Sequence, residues 1–303
     1  MQAEETTLSA SHIIDGEESV TAVVQAAMAN TTNPRLRQIM AAVVDHAHAL
    51  IREVDLTTEE FEAGIRFLTL LGQQTNDGHN EVVLAADVLG ISTLVAMRNH
   101  PDCDGQTAAA LLGPFWRADA PVCANGDNIA RCDMPGPVMD VSGTVKDIAG
   151  NPLAGAIVDV WQASPVGLYE NQDPHQPEMN LRGRFRTDAR GRYWFRTVRP
   201  AGYPVPTHGI VGDLLRAQGR HCMRPAHVHF MVYHEGYETV ITQVFADDSE
   251  HLDSDVVFGV RRSLVGRFRP HVPVPGSDEP QFRLDYDFVL QPGTSCLPVP
   301  PIK

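Results

Sequence analysis

Apolar residues recur every three to four positions along the first third of the chain, and the period shortens beyond it, with the change falling near Pro101. Leu36, Ile39, Met40, Val43 and Val44 form one stripe behind Asn33-Pro34, a capping residue followed by proline at the first helical position. A second stripe, Phe61, Ile65, Leu68 and Leu71, follows Thr57-Thr58-Glu59-Glu60, where Thr57 and Glu60 stand at capping-box spacing. A third helix is predicted over about 81–98, apolar along much of its length as a helix buried between neighbours would be. Residues 101–137 are rich in Gly, Pro, Asp and Cys and read as an irregular connector. After Val138, strands are predicted over 140–146, 156–162, 193–198, 227–233, 239–245 and 285–290, with turns at Asp147–Pro152 and Asp188–Gly191. The expected class is α+β: a helical part over 1–105, a linker over 106–137, and a mainly antiparallel β-sandwich over 138–303.

A chain of 303 residues exceeds the usual size of a single core, which agrees with two regions. Its formal charge of −14 argues against nucleic acid, because phosphate neutralisation needs clustered Lys and Arg. Arg182, Arg184, Arg186 and Arg192 are scattered and read as a solvated, salt-bridged surface. Five cysteines, Cys103, Cys123, Cys132, Cys222 and Cys296, lack Cys-x-x-Cys spacing, so reduced thiols are expected. No apolar run reaches membrane-spanning length, and the acidic start Met1-Gln2-Ala3-Glu4-Glu5 is unlike a targeting segment. The expectation is a soluble cytoplasmic protein without membrane insertion.

Chemistry concentrates in Arg224-Pro225-Ala226-His227-Val228-His229-Phe230. On a strand, His227 and His229 share one face and can reach one metal ion, although such a pair seen alone is more often structural or incidental than metal-binding. Two stretches, 165–188 and 200–225, are long for connections in a sandwich, and each carries a tyrosine, Tyr169 and Tyr203. Two phenols with two imidazoles suit ferric iron, a hard cation that prefers anionic oxygen donors. Two other classes stay open on the residues alone. One is a metal-binding sandwich without turnover, in which the tyrosines only pack; the other is an Fe(II) or zinc enzyme that would use a carboxylate such as Glu235 or Asp247.

Gly167-Leu168-Tyr169, Tyr203-Pro204-Val205-Pro206 and the Arg224–His229 segment occur in the order and approximate spacing of the intradiol ring-cleaving dioxygenases. The chain resembles that family from about residue 33 to about residue 290. The resemblance implies one Fe(III) per subunit held by Tyr169, Tyr203, His227 and His229, with Tyr203 displaced by an aromatic diol and taking its proton. It implies that Arg224 stabilises negative charge on the ring, that Gln243 lies beside it, and that the product forms with both atoms of dioxygen. Leu84, Asp87, Leu112, Gly113, Pro114, Phe115, Val205, Pro206 and Arg224 would line the ring pocket. Asp87 is similar to an acidic residue of the branch acting on hydroxyquinol (benzene-1,2,4-triol), which yields 3-hydroxy-cis,cis-muconate/maleylacetate; catechol or a chlorocatechol is the alternative substrate. A homodimer joined through the helical region, with a lipid-like molecule at its interface, is implied in the same way. Thr207-His208-Gly209-Ile210 and Cys222-Met223 depart from the family pattern and bear on fine substrate preference.

Overall fold

The computed structural model describes residues 13–100, 105–273, 276 and 280–302; Met1–Glu5 and Cys103 lie outside the described residues. By internal contacts the chain divides into two compact units, Met1–Leu68 and Thr69–Lys303.

The first unit holds α1 (Val20–Ala27), α2 (Pro34–Glu53) and most of α3 (Thr58–Gln74). Asn33 Oδ1 accepts from the backbone of Arg35 and Leu36, 3.0 Å each, which satisfies two donors that the start of a helix leaves unpaired. At α3 the reciprocal pair is present: Glu60 N donates to Thr57 Oγ1 (3.3 Å) and Thr57 N to Glu60 Oε2 (2.9 Å). The apolar stripe of α2 stays exposed at Leu36, Ile39, Met40 and Val43.

The second unit opens with α4 (Glu81–Val88) and α5 (Ile91–Asn99). The single helix predicted over 81–98 is broken at Gly90, whose φ of 71° lies in the left-handed region that glycine tolerates. Only the first half is buried as expected: Leu84, Ala85 and Val88 are inside, whereas Ile91, Leu94, Val95 and Met97 are exposed. Then follow β1 (Val138–Asp147), β2 (Ile157–Gln162), β3 (Arg182–Arg186), β4 (Arg192–Val198), β5 (Tyr203–Pro204), α6 (Ile210–Ala217), β6 (Met223–Arg224), β7 (His227–Tyr233), β8 (Val240–Ala246), β9 (Val265–Gly266), β10 (Phe268–Pro270), β11 (Phe282–Asp285) and β12 (Phe288–Leu290).

One sheet centres on β1, which pairs with β4 on one side and with β11 and β12 on the other; β10 extends it beyond β11. The second runs β3-β2-β7-β8-β9. Pairing is mainly antiparallel, the exceptions among the described ladders being β1 with β11 and β12 and β8 with β9. Alternate residues of both sheets, among them Val141, Val158, Phe195, Val228, Phe230 and Val244, meet in one core, the arrangement of a sandwich. Sequence alternation missed β3, whose Arg-Gly-Arg-Phe-Arg string carries almost no apolar signal. It also missed the β5–α6–β6 excursion, because its strands are two residues long.

Candidate metal centre

On β7, Val228, Phe230 and Val232 face the core between the sheets, so His227, His229 and Met231 emerge on the opposite face. That face is also covered, by a cluster containing Phe115, Trp116, Trp161, Tyr169 and Tyr203, and both histidines are buried. His227 Nε2 and His229 Nε2 stand 3.1 Å apart. Tyr203 Oη lies 3.5 Å from His227 Nε2 and 3.3 Å from Tyr169 Oη. Four heteroatoms from β7, β5 and the loop after β2 thus converge in a dry site.

The tautomers bear on what the cluster can hold. His227 Nδ1–H donates to the Pro225 carbonyl at 2.7 Å, which leaves the Nε2 lone pair pointing inward. His229 stacks on Trp161 with ring centroids 4.7 Å apart, and its buried Nδ1 has no hydrogen-bond partner. Burial, then the charge of Arg224, pushes His227 down to about 3; burial, then His227, holds His229 well below its ordinary value, so both rings are neutral. Burial, then Tyr203, raises Tyr169 well above the usual phenol range. With neither arrangement of the His229 proton are all these nitrogens satisfied: one leaves a lone pair orphaned at Nδ1, the other sets two Nε2 lone pairs face to face. A cation among the four atoms would relieve the facing Nε2 lone pairs, leaving only the Nδ1–H of His229 unpaired, and phenols that ionise on coordination suit a hard, highly charged one. The residues fit ferric iron. Among the described residues no group of three or more His, Cys, Asp and Glu could hold a metal, and Glu235 and Asp247 are exposed, so the carboxylate-ligand alternative lacks its carboxylate.

Arg224 sits opposite Tyr203 in the β5–β6 ribbon, with Nη1 3.2 Å from His227 Nε2. Its Nε and Nη2 each donate to Asp255, 3.1 Å, and Nη2 donates to Gln243 Oε1, 2.7 Å. Gln243 is tied in turn by Nε2 to the Leu111 carbonyl, 2.8 Å. Burial opposes the charge of both partners, yet each holds the other ionised: Asp255 lies below the usual carboxylate range and Arg224 above the usual guanidinium range. Asp255 was not legible beforehand, because nothing in Asp253-Ser254-Asp255 distinguishes it from exposed neighbours. Arg182 corrects the reading of scattered surface arginines. It is 1% exposed, its Nε donates to both oxygens of buried Glu170 at 2.8 Å, and its guanidinium lies 5.9 Å over the Tyr169 ring. Arg186 and Arg192 are exposed as expected.

A cavity of about 750 Å³ lies on the outer side of the β1–β4 pair; another, of about 620 Å³, is lined by Asp87, Ser92, Leu111, Leu112, Gly113 and Ile241 with α5, and it approaches the metal cluster at Gly113, which packs beside His229. At Gly113, φ is 74° and an added Cβ would come within 3.2 Å of His229 Cε1, so only glycine lets the backbone lie against that ring. Asp87 is 3% exposed, not the surface residue that a helix pattern alone would favour. Burial raises it to about 6, against a hydrogen bond from Ser92 and the pull of Arg224. Leu84, Val205 and Arg224 are buried but do not line this cavity, nor do Pro114, Phe115 and Pro206; Phe115 stacks on Tyr169 at 4.5 Å. The buried carboxylate of Glu81 also went unread: Oε1 accepts from Val211 N at 2.8 Å and Oε2 meets His79 Nε2. Glu81 therefore ties the first turn of α4, the helix of Asp87, to the first turn of α6, which joins Tyr203 to Arg224.

The family model described as "Dioxygenase" matches residues 111–292, and the one described as "Catechol dioxygenase N terminus" matches residues 33–107. A hydroxyquinol 1,2-dioxygenase of Rhizobium sp. (strain MTP-10005) is 43% identical over 281 residues, covering 90% of this chain and 95% of that protein. A 6-chlorohydroxyquinol 1,2-dioxygenase of Cupriavidus pinatubonensis is 43% identical over 276 residues, 91% of this chain and 98% of that protein. The crystal structure of hydroxyquinol 1,2-dioxygenase from Pseudomonas putida DLL-E4 superposes with a TM-score of 0.83 at 40% identity, covering 91% of this chain and 99% of that one. With its helical start, its β-sandwich and a buried two-tyrosine, two-histidine cluster, the chain belongs to the intradiol ring-cleaving dioxygenases, oxidoreductases that incorporate both atoms of dioxygen.

Proposed function

We propose that this enzyme is a ferric intradiol dioxygenase whose substrate is hydroxyquinol, cleaved between adjacent hydroxylated carbons to 3-hydroxy-cis,cis-muconate/maleylacetate. The observation that carries the reading is the convergence of Tyr169 Oη, Tyr203 Oη, His227 Nε2 and His229 Nε2, with His229 beside Gly113 of a cavity that the buried carboxylate of Asp87 also lines. These four atoms are the proposed ligands of one Fe(III) per subunit. Iron, when bound, supplies a Lewis acid that acidifies the diol hydroxyls and favours transfer of electron density from the ring to dioxygen.

The remaining chemistry is assigned to the chain's own groups. Tyr203 Oη is the base that receives a diol proton, standing beside both Tyr169 and His227. Arg224, locked by Asp255 and Gln243, presents a fixed cation to negative charge as it develops on the ring, an effect that is large in a dry site. Asp87 is ionised above a pH of about 6 and accepts a hydrogen bond from the third hydroxyl of the triol. A buried acceptor built for a hydroxyl discriminates against a ring that lacks one, which favours hydroxyquinol over catechol. The two relatives named for hydroxyquinols support the same choice.

The helical region, 1–105 by composition, is the proposed dimerisation element, with the connector and sandwich forming the catalytic part. The exposed apolar residues of α2 supply a surface for a second copy and for a lipid-like molecule. Among the described residues no helix is long and apolar enough to cross a membrane, and a cytoplasmic location is part of the proposal. The test is metal analysis with a visible spectrum, followed by anaerobic titration with hydroxyquinol and with catechol. A tyrosinate-to-iron absorption band that shifts on adding either diol, at lower concentration for hydroxyquinol, is expected. A protein that stays colourless after iron loading overturns the reading in favour of a non-catalytic metal-binding sandwich.

A further inference from the structure

The cavity lined by Asp87 and Gly113 has an outer wall made by a segment that supplies none of the cluster's four heteroatoms. Val299, Pro300 and Pro301 line it opposite α4 and α5. Cys296 N donates to Thr239 Oγ1 at 3.1 Å; beyond it, Pro298, Pro300 and Pro301 have no N–H to donate, so packing must hold the strap. The anchor is Ile302. It is 4% exposed and packs in the aromatic cluster that contains Phe115, Trp161, Tyr169 and Tyr203, whereas Val299, three residues earlier, is 86% exposed. A second cavity of about 350 Å³ lies against Pro300 and Ile302, lined there by Arg117, Asp119 and Met179. The strap is thus stiff in φ at three positions, pinned at one end by a single apolar side chain, and bounded by open space on two sides.

We propose that residues 297–302 are a specificity element: a proline-stiffened strap, pinned by Ile302 beside the ligand tyrosines, that forms the outer wall of the substrate cavity and limits the size of ring substituent admitted. This rests on the aromatic-diol reading and deepens it by naming what excludes bulkier diols. Proline fixes φ without a hydrogen bond, so the wall keeps its position at little conformational cost. The carboxylate of Asp87 selects for a polar hydroxyl; the strap selects against size on the side facing Val299.

The experiment compares catechol with 4-tert-butylcatechol on the iron-loaded, full-length protein. Anaerobic dissociation constants are read from the shift of the visible band, and kcat/KM from oxygen uptake. Val299→Trp adds bulk to the wall at an exposed position that folding tolerates, and about a tenfold fall in the relative affinity and kcat/KM of the tert-butyl compound is expected, the scale that a few methylene-sized contacts carry. Ile302→Ala frees the anchor, and the same ratio should rise by about tenfold. Ratios that stay within twofold of wild type in Val299→Trp, with the band intact, overturn the proposal, as does a ratio that falls in Ile302→Ala. A wild-type protein whose band responds to no diol refutes the substrate reading and the strap with it, whereas a normal response to catechol with unmoved ratios refutes the strap alone.

Discussion

Replacing Asp255 tests the electrostatic design of the site most directly. Asp255→Ala removes both oxygens that accept from the Arg224 fork, each at 3.1 Å, and leaves a guanidinium that is 3% exposed without its counter-charge. Breaking a buried pair on one side costs about 3–5 kcal/mol, because the remaining charge is stranded away from water. Gln243 Oε1 still accepts from Arg224 at 2.7 Å, so a loss near the lower end, about 3 kcal/mol, is expected in chemical denaturation. Loss of a properly aimed cation should also lower turnover by roughly a hundredfold, the scale of one preorganised electrostatic group. The double replacement Arg224→Met with Asp255→Leu separates the two effects. It removes both charges, so part of the lost stability should return, the remainder being the cost of the Gly259 N–H and the Gln243 Oε1 left without partners, while turnover stays lost. Since Asp255 is held below its unfolded pKa, its contribution is present above about pH 4 and is lost as pH falls through the lower folded value, and the gap between wild type and Asp255→Ala should close in acid. If Asp255→Ala is within about 1 kcal/mol of wild type at neutral pH, or the double variant is no more stable than the single, the argument that Asp255 neutralises and aims Arg224 is wrong.

Asp87→Leu should cut the kcat/KM ratio of hydroxyquinol to catechol by at least about tenfold, and the wild-type ratio should fall as pH drops below about 6 while that of Asp87→Asn stays flat; an unchanged ratio in Asp87→Leu removes Asp87 from substrate selection. Glu81→Leu strands the N–H of Val211 at the start of α6 and should cost about 1–3 kcal/mol in denaturant unfolding, whereas Glu81→Gln, which keeps an acceptor, retains most of it; equal losses would show that hydrogen bonding is not what Glu81 provides. Burial raises Asp159 to about 7, so the folded state binds the extra proton between about pH 4 and 7 and this group's contribution falls as pH rises through that window, by up to about 1.4 kcal/mol per unit. Asp159→Asn should remove that slope from the difference between stabilities measured at pH 5 and 7.5, and a difference of the same slope in both proteins would contradict it.

Local rules determined a large part of this protein from sequence alone. Capping at Asn33 and Thr57 depends on residues within one turn, and it stands in the structure as the pattern requires. The strand period put His227 and His229 on one face, and the segments around Tyr169, Tyr203 and Arg224 carried the resemblance to the family. The break at Gly90 was missed because apolar residues continue through it, and the period of a helix does not reveal a left-handed residue. β3 was missed because its arginines look like surface, although Arg182 lies inside against Glu170, where a partner replaces water. The same limit hid Asp255 and Glu81: a carboxylate's burial depends on which distant cation or helix end it meets, and that pairing spans 31 residues for Asp255 and 130 for Glu81. It also hid the strap, since only packing shows that Ile302 reaches the cluster around Tyr169. Residue types and short spacings selected the chemistry because coordination and capping are local; the tertiary structure decided which charges are buried, paired and aimed, because desolvation is a property of everything packed around a group.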